Sequence, residues 1–408
     1  MQELDSNAEF DAARDSEFFA VVPARPAVFA VEPREELTGA KPYLLRTANL
    51  RQRLVRLLGP PDPASKRLNL REFAARVHYR VVGSPFELSF LHWQHARRLW
   101  PSAYRERLRL RPPAVLKVSL TNAYPRCYAT RRISANGFYF GPFPSRRAAD
   151  AFASGFLDLF KIRRCQIKIR RDPSYPGCMY SEMKMCLAPC FAGCTKQDYD
   201  AEVGRAVSFL ATGGASLMAE LEREREAASE ALDFERAAAV HRRVEKTAEA
   251  LRGLPELARR LDDLNAVVLQ RAAEEHTVEV FLVRGGRIDE PRMLRFAELA
   301  SEPRPVEQIL REWMEPAADQ NSSSTGPGTA PQGYRELEDQ LSLLARWFYG
   351  KPRVGEIFFR EGTARSSSAS PQDAANARRN SEWPYRRILR ACSRLLAPPE
   401  AETAADGH

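Results

Sequence analysis

Four cysteines, Cys165, Cys178, Cys186 and Cys190, follow the spacing C-x12-C-x7-C-x3-C, and a fifth, Cys194, lies three residues beyond the last. Cys127 and Cys392, the remaining two of the seven in the chain, stand apart from this group. Four thiolates hold either a tetrahedral zinc ion or a [4Fe–4S] cluster. The paired C-x2-C knuckles usual for zinc are absent, and the uneven spacing that closes on Cys186-Leu187-Ala188-Pro189-Cys190 suits iron–sulfur better. Lys161-Ile162-Arg163-Arg164 and Lys168-Ile169-Arg170-Arg171 flank Cys165. Such a cationic shell offsets an anionic metal–thiolate centre and could also touch phosphate. The plain alternative is a group of adjacent free thiols. Disulfides are not expected, because the first fifteen residues are acidic and lack the basic-then-apolar run of a secretory leader.

The elements around this centre read as mixed α and β. The 408 residues are 44% hydrophobic and 28% charged, enough apolar material for several cores. No apolar run is long enough for a membrane helix, and a cytoplasmic protein without membrane contact is expected. The 62 Lys and Arg against 53 Asp and Glu give a net charge of +9, which leans toward a polyanionic partner. Residues 1–20 read as a polar, flexible arm. Strand patterns at Ala27–Val31, Tyr43–Leu45 and Val77–Val82 alternate with helical ones at Asn49–Leu58 and Pro85–Leu99, which predicts a small α/β domain over 21–112. A strand at Ala114–Val118 and a helix from Arg146 to Phe160, capped by Ser145, open a Cys-rich region over 113–200. Residues 201–255 read as a helical hairpin, and Gly213-Gly214 breaks the helical run into at least two helices. Three strands over 256–315 form a meander with a tight turn at Gly285-Gly286. A linker (316–333), a helix and a strand (334–363), a low-complexity stretch (364–383) and a short helix with a tail (384–408) follow.

Several of these segments resemble one family. Gly141-Pro142-Phe143, the helix ending at Phe160, Arg164-Cys165, Cys178-x-Tyr180 and Cys186-Leu187-Ala188-Pro189-Cys190 resemble the middle region of UvrC, one component of the bacterial UvrABC excinuclease. Leu232-Asp233-Phe234-Glu235-Arg236-Ala237-Ala238 resembles the UVR motif, the helical hairpin by which UvrC meets UvrB. Val280 to Arg287 resembles the strand pair just past that hairpin. The likeness runs in the family's own order from about residue 25 to 300. It implies DNA and UvrB as partners in nucleotide excision repair of DNA damage. It also implies an iron–sulfur cluster on Cys165, Cys178, Cys186 and Cys190, with zinc the alternative, and a partner-binding face at Leu232, Phe234, Glu235, Ala237 and Ala238. His241-Arg242 stands where the family often has Arg-Asp.

The segment before the cysteines resembles a degenerate GIY-YIG nuclease domain. That domain hydrolyses a phosphodiester bond with a divalent metal, tyrosines, basic residues and one metal-binding glutamate. Here Ala27-Val28-Phe29 stands for Gly-Ile/Val-Tyr, and Tyr43-Leu44-Leu45-Arg46 for Tyr-Ile/Val-Gly-Lys. Arg53 matches the family arginine, and the register puts His92 in the glutamate's place. Tyr43, Arg46 and Arg53 are thus the residual catalytic positions, and Arg46, Arg51, Arg53 and Arg56 form a candidate DNA-binding stripe. Phe29 lacks the hydroxyl that orients water, and an imidazole is a poor substitute for carboxylate on Mg2+ or Mn2+. Glu87 is the one nearby acid that could serve if the register slipped. The family's second nuclease and its helix-hairpin-helix motifs are not expected in the residues after Phe359. The resulting reading is an α/β protein with a small GIY-YIG-like domain, a cysteine-cluster region, a UVR-type hairpin and a small C-terminal α/β part. The expected function is a UvrC-like repair protein impaired as a nuclease. The alternatives are an active metal-dependent endonuclease using Glu87, and a nucleic-acid-binding scaffold outside excision repair.

Overall fold

The computed structural model describes residues 4–62, 64–299, 301–315, 331–360 and 383–397. The expected linker (316–333) falls almost wholly outside these residues, and the low-complexity stretch (364–383) does so except at Trp383. The architecture is mixed α/β with three antiparallel sheets. No helix among the described residues is long and apolar enough to cross a membrane.

The first sheet is built from β1 (Ser6–Glu9), β2 (Ala27–Pro33), β3 (Tyr43–Thr47) and β4 (Ala74–Val81) in the order β1-β4-β2-β3, with α1 (Asp15–Val21), α2 (Leu50–Leu58), α3 (Pro85–Leu99) and α4 (Tyr104–Arg107) around it. The N-terminal residues are therefore not an arm. Ser6–Glu9 pairs with β4, and Leu4, Phe10 and Phe18 are buried. The sequence pattern missed this because β1 is four residues long and its alternation is polar. β2 lies between two neighbours and is covered on both faces, so it reads as a continuous apolar run rather than an alternation. The Asn49 side chain accepts the Gln52 N–H at 3.0 Å to start α2, and Ser84 does the same for Glu87 at 3.1 Å to start α3.

The second sheet combines β5 (Ala114–Val118), β6 (Cys127–Thr130), β7 (Phe138–Phe143) and, much later, β8 (Arg259–Arg260). α5 (Arg146–Leu157) packs on it, capped by Ser145 as expected but ending three residues before Phe160. Phe140, Phe143, Phe152, Phe156 and Phe160 form one aromatic column that continues to Phe209. Phe209 lies on α7 (Lys196–Ala211), which follows the four-residue α6 (Met179–Glu182). α8 (Ala215–Glu230) and α9 (Phe234–Arg252) complete the helical run, separated from α7 at the expected glycines.

The third sheet holds β9 (Ala266–Arg271), β10 (Thr277–Arg284), β11 (Arg287–Ile288), β12 (Arg292–Arg295) and β13 (Glu356–Phe359). β10 pairs with β9 on one side and with β11 and β12 on the other. Gly285 (φ +56°) and Gly286 (φ +78°) make the predicted turn in the left-handed region that favours glycine. The helices α10 (Phe296–Leu299), α11 (Val306–Met314), α12 (Pro331–Tyr349) and α13 (Tyr385–Leu396) close this part.

The first and third sheets share one core. Phe86 and Phe90 of α3 meet Phe281 of β10 with ring centroids 4.8 and 5.6 Å apart. Buried Asp339 of α12 accepts the Tyr104 hydroxyl at 2.5 Å and pairs with Arg105 at 2.7 Å. A fully buried carboxylate is tolerated only when it is paired and hydrogen-bonded in this way.

Candidate cysteine centre and nucleic-acid interface

The segment from Lys161 to Thr195 has little regular structure, and its backbone is held by side chains. Buried Arg163 donates to the Tyr124 carbonyl at 2.8 Å and to the Cys165 and Ile167 carbonyls at 3.2 and 3.0 Å. The same guanidinium nitrogen lies 3.9 Å from the Cys165 sulfur. The Ala188 N–H donates to the Cys186 sulfur at 3.3 Å. Cys190 sits in a short turn between Ala188 (φ +54°) and Ala192 (φ +63°). Burial pushes the Cys186 thiol up to about 11; the Ala188 N–H opposes this, and Cys165, Cys178 and Cys190 add to it. Cys190 is raised in the same way, by burial and then chiefly by Cys178 and Cys165. Cys194 is raised by burial and by Asp198, and Cys190 is the one thiol acting on it. Cys165, Cys178 and Cys190 thus lie near enough to act on Cys186, whereas Cys190 is the thiol that acts on Cys194. Among the described residues no three His, Cys, Asp or Glu side chains converge tightly enough to hold a metal ion. The donor set nevertheless fits a thiolate centre in kind, with an amide N–H directed at one sulfur and a buried guanidinium beside another.

The GIY-YIG-like positions divide between the two faces of the first sheet. Phe29 is fully buried in the core beneath α2, and Tyr43 packs against the same core. Arg46 pairs with Val28 across the strands and so lies on the other face, where it donates to Ser89 of α3 at 2.6 Å. His92 of α3 lies beside it. Burial, the Arg46 charge and His95 push the His92 imidazole down to about 4, so it is neutral at physiological pH. Arg46 is itself lowered by burial and by Arg346 of α12, a cation that sequence reading did not connect to this site. Two guanidiniums near a neutral imidazole attract an anion and repel a metal cation. Arg51 is held on the Val22 and Ala20 carbonyls at 2.8 and 3.3 Å, anchoring the end of α1. Arg53 is half-buried on α2 and Arg56 is exposed.

Glu87 does not join these residues. It is 3% exposed, accepts the Gly83 N–H at 2.8 Å and lies 4.0 Å from Arg80. Its other neighbour is Glu279 of β10, fully buried, whose carboxyl faces that of Glu87. This carboxyl pair escaped the sequence reading. Its only trace was an acid at position 279 inside an otherwise apolar strand.

In the helical hairpin α8 and α9 pack through Leu221, Ala228, Val240 and Thr247, all buried. Arg243 of α9 pairs with Glu224 of α8 at 2.8 Å. The tip is different. Leu232 is 70% exposed and Phe234 73% exposed. Leu232 takes φ +55°, and Asp233 caps α9 by accepting the Arg236 N–H at 3.0 Å. Glu235 and Ala238 are exposed beside Phe234, and Ala237 is half-buried.

Residues 114–209 match the family model for the middle domain of UvrC/Cho excinuclease. The chain is 27% identical to UvrABC system protein C of Corynebacterium jeikeium (strain K411) over 347 residues, which is 82% of this chain and 49% of that protein. It is 27% identical to the protein of the same name from Dehalococcoides mccartyi (strain CBDB1) over 66% of this chain and 44% of the relative. Against that of Thermoanaerobacter sp. (strain X514) identity is 32%, over 42% of this chain and 28% of the relative. The chain thus spans at most about half the length of these curated relatives. No solved structure matches it. Likeness over most of the chain, together with the middle-domain match across the segment that holds four of the clustered cysteines and Cys194, makes the chain similar to UvrC proteins.

Proposed function

We propose that the protein is a DNA-binding, UvrC-type component of nucleotide excision repair that docks on a UvrB-type partner and is impaired as a nuclease. The observation that carries the reading is the hairpin tip. Phe234 stands in solvent within a UVR-like sequence, where an internal packing residue would be covered. Burying one Phe side chain is worth roughly 1.5–3 kcal/mol. Phe234→Ala is therefore expected to weaken binding to UvrB about ten- to a hundredfold by calorimetry. Unchanged affinity would remove the tip from the interface.

Two features support impaired cleavage. A hard cation prefers carboxylate oxygen to the imidazole of His92, and Phe29 carries no hydroxyl. The DNA contact itself requires no metal. Arg53 and Arg56 of α2 offer phosphate contacts on one face of the sheet and Arg46 lies on the other, so binding should weaken with salt. Cysteine ligation belongs to the same reading: Cys165, Cys178, Cys186 and Cys190 would hold an iron–sulfur cluster, a structural group that orders the segment between them. Incubation of nicked and lesion-bearing duplex with Mg2+ or Mn2+, with and without UvrB, is expected to give little incision. A His92→Glu, Phe29→Tyr double variant that gains incision would support the degenerate site. Incision by the natural protein, abolished by Glu87→Ala, would replace this reading with an active enzyme.

A further inference from the structure

An open cleft of about 490 Å3 lies at the free edge of the first sheet. Lys41 and Tyr43 form one wall, Trp100, Ser102 and Arg107 the other. Among the described residues no carboxylate lines it. Pro101 ends α3 just after Trp100, and α4 then returns Arg107 so that its guanidinium lies 4.4 Å from the centre of the Trp100 ring. Both Lys41 and Arg107 are exposed.

This combination has a definite complement. A guanidinium stacked on an indole presents a flat cationic platform, and a nucleobase stacks on such a surface whatever its identity. A lysine on the facing wall is a point charge for phosphate. Two cations with no acid favour an anion. The volume matches a ligand of a few hundred Å3. A base within a duplex is covered above and below by its neighbours, so only an unpaired base can offer its face. We propose that this cleft binds one unpaired nucleotide of a DNA strand, with the base stacked on the Arg107–Trp100 platform and its phosphate on Lys41. The proposal rests on the DNA-binding reading above and narrows it. The duplex is held through the α2 arginines, and an unpaired nucleotide, as at a gap or frayed end, is held here.

The test uses the full chain and two labelled probes, single-stranded dT12 and a blunt 12-base-pair duplex, with fluorescence anisotropy at low salt. Trp100→Ala and Arg107→Gln should each weaken dT12 binding about five- to a hundredfold and leave duplex binding within about twofold. Trp100→Phe, which keeps a ring, should retain dT12 affinity within about threefold. Arg107 is a surface residue, so its variant remains informative if Trp100→Ala fails to fold. Intact duplex binding with dT12 affinity unmoved by Arg107→Gln would overturn the cleft and leave the DNA-binding reading standing. Equal losses on both probes would likewise reduce the cleft to general electrostatics. Failure of the natural protein to bind either probe would overturn both.

Discussion

Glu279→Gln is expected to raise the melting temperature at pH 8 and to flatten its dependence on pH between about 5 and 9. Glu279 is fully buried on β10 with Glu87 beside it, and among the described residues no cationic side chain forms an ion pair with it. Burial, followed by the charge on Glu87, pushes the Glu279 carboxyl up to about 9, with Arg80 opposing. Burial raises Glu87 as well. Two adjacent carboxyls in a low-dielectric site cannot both ionise cheaply, so they share a proton. A carboxyl raised in the folded state is stabilising below its unfolded value of about 4.3, and that stability is lost as pH rises toward the folded value. By pH 7 the loss amounts to roughly 4 kcal/mol, because pH 7 lies about 2.7 units above the unfolded value and each unit is worth about 1.4 kcal/mol. Gln keeps the shape, carries no charge and can donate to Glu87. Differential scanning calorimetry of both proteins across pH 5–9 is the measurement. Comparing the two cancels every other titrating group. A variant less stable than the parent at pH 8 would mean that Glu279 is ionised and held by a donor.

The position of this pair gives it leverage over the site. Glu87 opens α3, the helix that also carries His92, and Gly83 just before it lies directly on the end of β9. A Cβ at Gly83 would meet the Ala272 backbone at 2.2 Å, so this approach admits only glycine without displacement. The contact between first and third sheets therefore sets where α3 lies, and with it the separation of His92 from Arg46.

Local patterns made much of this readable. α2 and α3 carry Asn and Ser caps directly before their apolar periodicity, and α3 has Pro85 at its first position. Those signals act within a turn, so the sequence carries them openly. β10 was legible from its apolar run and the glycine pair that ends it. β1 was not, because its pairing with β4 joins residues about seventy apart and leaves no periodic mark. The division of Phe29 and Tyr43 from Arg46 follows from strand alternation once the register of β2 on β3 is known, and motif matching ignores that register. Arg346 and Glu279 reach their partners across the chain. A charge lying hundreds of residues away in sequence acts on Arg46 only because α12 folds back onto α3. The cysteine set was the opposite case, a candidate site whose four thiols lie within twenty-six residues of one another in the sequence.

Replacing Cys186 by Ser is expected to abolish the brown colour of protein purified without oxygen and to expose residues 165–194 to proteolysis, whereas Cys194→Ser should keep both colour and resistance. Little else orders this segment. Between Lys161 and Thr195 the regular structure is one four-residue helix and one short turn. Few side chains there are buried, among them Ile162, Arg163, Ala188 and Cys190. A stretch with so small a core of its own depends on cross-links, and thiolate–metal bonds supply them because binding energy becomes folding energy. The thiol of Cys186, held near 11 by burial and its sulfur neighbours, is a poor thiolate until a cation arrives. Metal binding should therefore release protons and weaken as pH falls. Cys165, Cys178 and Cys190 all act on Cys186, so in the proposed cluster its loss would remove a central ligand. Cys194 interacts with Cys190 alone among the thiols and can be lost without opening the group. The readouts are the broad visible absorption, iron and sulfide content, and trypsin cleavage, which should be on the order of tenfold faster in Cys186→Ser. Stoichiometric zinc in a colourless parent would keep the ligand set and replace the cluster. Equal colour and equal cleavage in both variants would dissolve the four-thiol site itself.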